Sequence, residues 1–108
     1  MRVSYHFFRC VMVFVFAASW GQKETAGELL TRGAEIDAIP AGFDFAGTGL
    51  HYAALNNRRE MVDWLLERGA DPALRDLKVQ NTPDGWAEFA HHSQLANYLR
   101  RIRAHRAG

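Results

Sequence analysis

The stretch Thr48-Gly49-Leu50-His51-Tyr52-Ala53-Ala54, then Glu60-Met61-Val62-Asp63-Trp64-Leu65-Leu66, then Gly69-Ala70-Asp71, reads as one helix-turn-helix unit. Thr48 marks its start, because a Thr hydroxyl accepts a hydrogen bond from a free backbone N–H of a first helical turn. Leu50, Ala53 and Ala54 give the first helix a narrow apolar face, which lets neighbouring backbones approach closely. Asn57 sits where a left-handed turn is needed, a conformation that Asn tolerates better than most residues. Met61, Val62, Leu65 and Leu66 then recur with helical period. Gly69 closes the second helix in the left-handed position that Gly fills without steric cost.

The unit repeats. Glu28-Leu29-Leu30-Thr31-Arg32-Gly33-Ala34-Glu35 returns as Trp64-Leu65-Leu66-Glu67-Arg68-Gly69-Ala70-Asp71, an offset of 36. At the same offset Ala17-Ala18-Ser19-Trp20-Gly21 falls on Ala53-Ala54-Leu55-Asn56-Asn57. Thr48 to Ala53 matches Thr82-Pro83-Asp84-Gly85-Trp86-Ala87 at an offset of 34, which also carries Leu65 onto Leu99. Thr82 with Pro83 behind it predicts a capped helix start, and Asp84 places an anion where the helix dipole favours one.

On these residues the chain resembles the ankyrin repeats, whose usual period is about 33 residues. The resemblance runs over roughly residues 12 to 102 and is strongest in the middle unit. The extra residues fall between Gly-Ala-Asp and the next Thr, where that family places its hairpin loops. There are departures: Gly49 replaces the usual Pro, Val15 and Gly85 stand at the His position, and Glu88 replaces the second Ala. The resemblance implies an all-α solenoid of stacked helix-turn-helix units with hairpin-like loops. The expected segments are an apolar N-terminal stretch (1–13), two repeats (14–47 and 48–81) and a C-terminal capping repeat (82–108).

The N-terminus admits two readings. Arg2 and Arg9, the uncharged run from Cys10 to Ala18 and the small residues Ala17, Ala18 and Ser19 have the make-up of a secretory leader. The run is too short to span a bilayer, so a membrane location is not expected. The repeat alignment instead makes Phe14, Ala17 and Ala18 the inner helix of the first unit and residues 22–30 its outer helix. Cleavage near Ser19 would then strip a stacked unit of its partner. We therefore expect an intracellular, cytoplasmic protein, with a secreted or periplasmic one as the alternative. A Val- and Phe-rich run is a poor helix former, so residues 1–13 are expected to be an atypical or shortened cap.

Composition narrows the function. The 108 residues are 48% hydrophobic, and 13 Lys and Arg face 12 Asp and Glu, a balance that argues against disorder and against a dedicated nucleic-acid binder. The single cysteine, Cys10, excludes an intrachain disulfide and a thiolate zinc site, and its apolar setting predicts an inert thiol. Arg100, Arg101, Arg103, His105 and Arg106 are expected to form the basic end of a closing helix rather than an anion patch. His91 and His92 are adjacent and would point about 100° apart on a helix, so they do not share a metal readily. The resemblance gives His51 a backbone hydrogen bond between adjacent units. Asp71, Asp76 and Asp84 fit turn or cap duty. Neither a phosphate loop, a serine elbow nor a Cys-x-x-Cys pair is present. We expect no catalytic residues, cofactor or metal.

What remains is recognition of a partner protein, which the resemblance places on the concave face formed by inner helices and hairpin tips. The candidate contact residues are Trp20, Phe43, Phe45, Leu55, Asn56, Leu77, Lys78 and Phe89. Trp20, Phe43, Phe45, Leu55 and Phe89 would form an apolar patch with polar edges, the make-up of an interaction hot spot. The competing assignment folds Phe43 and Phe45 back over the groove and packs Phe89 between repeats. The expected molecule is a monomeric, non-catalytic interaction module, or a piece of a longer array. The alternative is an exported inhibitor or stabilising factor for a co-expressed enzyme.

Overall fold

The computed structural model describes residues 2–40 and 46–107, with side chains over 10–40 and 46–106. Among them are six helices and no strand: α1 (Arg2–Ser19), α2 (Lys23–Thr31), α3 (Gly49–Leu55), α4 (Arg59–Glu67), α5 (Pro83–Phe89) and α6 (Ser93–Ala107). They pair as α1–α2, α3–α4 and α5–α6, and the inner helices α1, α3 and α5 stack in chain order. The fold is an all-α ankyrin-type solenoid.

Each inner helix ends in the same way. Gly21, Asn57 and His91 take the left-handed conformation, with φ of 75°, 58° and 66°. The next residue's N–H then reaches back into the helix: Gln22 to the Ala17 carbonyl at 2.8 Å, Arg58 to Ala53 at 2.9 Å, and His92 to Ala87 at 2.9 Å. These are Schellman closures, which satisfy orphan carbonyls and turn the chain toward the outer helix. Gly33 and Gly69 repeat the device at the ends of α2 and α4, where Ala34 and Ala70 donate to Leu29 and Leu65 at 3.0 Å.

Small residues set the spacing between units. Gly49 faces α1 so closely that an added Cβ would lie 3.1 Å from both the Ala18 methyl and the Phe14 ring. Phe14, Ala18, Leu50, Ala53, Ala54 and Ala87 are fully buried along this seam, and Met61, Val62, Leu65, Leu95 and Leu99 extend the core under the outer helices. Outer helices meet through longer side chains, as where the Trp64 ring reaches Gly27.

Helix α1 joins the expected N-terminal segment to the first inner helix. It runs unbroken from Arg2 to Ser19, so the boundary placed between residues 13 and 14 falls inside it. Val11, Phe14, Val15 and Ala18 are buried at i, i+3, i+4 and i+7. Burial of that stripe overrides the weak intrinsic propensity of Val and Phe. Thr82 also differs from expectation. It occupies the N-cap and Pro83 follows, but no backbone N–H bonds its side chain. The hydroxyl donates instead to the Asp84 carboxylate at 2.6 Å, a charged acceptor within reach.

Candidate protein-binding surface

Two buried polar anchors fix the loop of residues 76–81 against the inner helices. The first is His51. The Thr48 N–H donates to its Nδ1 at 3.1 Å, so the proton sits on Nε2, which donates to the Asn81 carbonyl of the next unit at 3.0 Å. The expected inter-unit bond is present. The ring is fully buried and packs edge-on against Trp86 with centroids 4.9 Å apart. Burial is the main influence on this imidazole and lowers its pKa from the ordinary value, although the Asn81 carbonyl pulls the other way.

The second anchor is Asp76, also fully buried. Its carboxylate accepts from the N–H groups of Lys78 (2.8 Å), Val79 (2.7 Å) and Asn81 (2.9 Å) and from the Trp86 indole N–H (2.9 Å). Burial alone would raise its pKa, but the four donors outweigh it and hold the group far below the usual carboxylate range. The Asp76 N–H donates to the Asn81 carbonyl at 2.8 Å, and Gln80 adopts φ 58°, so residues 76–81 form a closed finger. The Leu77 N–H ties that finger to the Ala46 carbonyl at 2.8 Å.

Between the finger and the inner helices lies an apolar groove of about 350 Å³, lined by Leu55, Val79, Asn81, Gly85, Trp86 and Phe89. Phe89 is 82% exposed and Val79 72%, so packing of Phe89 between repeats does not occur. The start of α6 is fixed beside the groove by His92, whose Nε2 is 3.0 Å from the Leu55 carbonyl.

The structure brings together only part of the set expected from sequence. Leu55 and Phe89 share the groove, with Val79 and Trp86, which sequence reading had not put there. Trp20, also exposed, belongs to a separate cleft with Lys23, Arg58, Arg59 and Met61, where the Arg58 guanidinium lies 5.7 Å from its ring centre. The Asn56 amide is engaged between units, donating to the Ser19 carbonyl (2.9 Å) and hydroxyl (2.6 Å). Leu77 and Lys78 stand exposed on the finger but do not line the groove. Phe43 and Phe45 lie outside the described residues.

The closing arginines are largely occupied. Arg103 makes a two-pronged pair with Asp84 at 3.0 and 3.1 Å, and Arg100 bridges Asp84 (3.4 Å) and Glu88 (2.6 Å). Burial opposes the charge on Asp84, yet the bonds from Arg103 and Thr82 leave its pKa below the ordinary value. Arg106, in the last turn of α6, donates to the Ala70 and Leu66 carbonyls at 3.1 and 3.3 Å, which places its cation at the negative end of α4 as well as of its own helix. Among the described residues no three His, Cys, Asp or Glu side chains form a metal-holding group, and no helix is long and apolar enough to cross a membrane.

Comparison with known proteins agrees with this geometry. A family model described as "Ankyrin repeats (3 copies)" matches residues 12–76. The human "Transient receptor potential cation channel subfamily A member 1" is 38% identical over 64 residues, 59% of this chain and 6% of that protein. The "E3 ubiquitin-protein ligase hecd-1" of Caenorhabditis elegans is 33% identical over 86 residues, 78% of this chain and 3% of that protein. The chain thus corresponds to a small part of each relative. With the repeat model covering more than half its length, the chain belongs to the ankyrin-repeat family.

Proposed function

We propose that this chain is a non-catalytic binding module that seats a segment of a partner protein in the groove between the 76–81 finger and helices α3 and α5. Ankyrin repeats generally serve protein–protein interaction. The observation carrying the specific reading is the pair of exposed apolar side chains, Phe89 and Val79, held on rigid supports around one groove. Apolar anchors of this kind, surrounded by polar edges, dominate binding energy at interfaces. Neither side chain is in the core, so changing them alters recognition without altering the fold.

The test is affinity capture from native lysate with the wild-type chain and with Phe89→Asp, each checked by its thermal unfolding midpoint. Proteins retained by the wild type and lost from an equally stable variant support the groove. Identical retention by both removes it.

Retention of α1 belongs to the same reading, because Phe14 and Ala18 form the seam with α3. That packing supports a cytoplasmic setting over export. Intact mass after expression in the native host tests it, since removal of a leader would cost about 19 residues.

A further inference from the structure

A second cavity, of about 400 Å³, adjoins the apolar groove and shares Asn81, Gly85 and Phe89 with it. Its other charged walls are Arg75, Arg100, Arg103, Asp84 and Glu88, three cations against two anions. The anions are accounted for: Arg103 and Arg100 hold Asp84, and Arg100 holds Glu88. Arg75 is left over. Its guanidinium donates to the Gln80 carbonyl at 2.9 Å and has no carboxylate partner among the described residues.

Asn81 stands on the line between the two cavities. Its Oδ1 accepts from the Thr82 N–H at 3.0 Å, which fixes the amide so that its NH2 is a donor with no acceptor among the described residues. The backbone beneath it is held by three bonds, from His51, from Asp76 and to the Asp76 carboxylate. An apolar slot, a fixed amide donor and a guanidinium with no carboxylate partner among the described residues therefore lie side by side.

We infer that the occupant is a short protein segment carrying a large apolar side chain with an acidic residue within a few positions of it. The apolar side chain fills the slot between Phe89, Val79 and Leu55. A backbone carbonyl accepts from the Asn81 amide, and the carboxylate pairs with Arg75. This rests on the groove being the binding face and adds the chemistry of what it reads.

The experiment is selection of random 12-residue peptides displayed on phage against the purified full chain, followed by affinity measurement with the enriched peptide in synthetic form. The expected enrichment joins a large apolar residue to Asp or Glu within three positions. Arg75→Gln, or replacing the peptide's acid by its amide, weakens binding roughly three- to thirtyfold, and the two changes together cost no more than either alone. Added salt weakens the wild-type complex and has little effect on the Arg75→Gln complex. Enriched peptides lacking acids, or indifferent to Arg75→Gln, overturn the inference while leaving the groove intact. Peptides that bind Phe89→Asp as well as wild type overturn the groove itself. Failure to enrich any sequence counts against a short segment as the occupant.

Discussion

Asp76→Asn isolates the anchor on which the groove depends. The substitution keeps shape and volume, removes the charge and replaces one acceptor oxygen by a donor NH2. In the native chain both carboxylate oxygens are used: Oδ1 accepts from the Lys78 and Val79 N–H groups, and Oδ2 accepts from the Asn81 N–H and the Trp86 indole. An asparagine oxygen serves one of these pairs. Its NH2 then faces the other pair donor to donor, and no rotation of the amide escapes the conflict. A buried donor left without an acceptor costs about 1–3 kcal/mol, so two orphaned donors predict a loss of roughly 2–6 kcal/mol. Against a total of about 5–15 kcal/mol for a domain, that is a large fraction.

Urea unfolding followed by circular dichroism at neutral pH reads this loss directly. The pH dependence supplies a sharper check. The folded-state pKa of Asp76 is depressed, so its contribution is complete above the unfolded value of about 3.9. It is lost as pH falls from there through the folded value. The gap between wild type and Asp76→Asn must therefore stay constant down to about pH 5 and narrow only in stronger acid. A loss below about 1 kcal/mol, or a gap that widens on acidification, would refute the assignment of Asp76 as an ionised four-donor acceptor.

Three further outcomes follow from the same geometry. Phe14→Ala should cost about 3–5 kcal/mol, measured by the same unfolding assay, because the ring is fully buried against Gly49; a loss under 1 kcal/mol would mean that α1 is dispensable. Wild-type stability should decline as pH falls below the unfolded histidine value of about 6.5, since folding holds His51 neutral with a lowered pKa. His51→Gln should flatten that part of the profile, and an unchanged slope would assign the titration elsewhere. Gly85→His alone should destabilise by about 1–3 kcal/mol, because its Cβ would meet the Asn81 amide at 2.1 Å. Adding Asn81→Gly should restore most of the loss, and additive effects in the double variant would deny that the two positions share one space.

That last pair explains how much of the molecule was legible in its sequence. The helix periods, the left-handed turn at Asn57 and the glycine caps depend on local chemistry, and they read correctly from residue type and spacing. Gly85, at the position of His51, looked only like a departure from the repeat. In the structure it is half of an exchange. Unit two sets a glycine, Gly47, against His51, and a Cβ on Gly47 would lie 2.6 Å from that of the histidine. Unit three sets Asn81 against Gly85, so the large and small partners trade places across the same gap. The sum of the two side chains was what the fold constrained, and no single position reveals a sum. The groove was hidden for the same reason. Val79 stands beside Phe89 only because Asp76 gathers three backbone N–H groups and an indole into one finger, and donors brought together by a buried carboxylate leave no periodic trace in the chain. Trp20 shows the same limit from the other side. Its alignment with Asn56 was sound, but alignment gives a place within a unit and not the neighbours across it, here Arg58 and Arg59 of the next unit rather than Leu55 and Phe89.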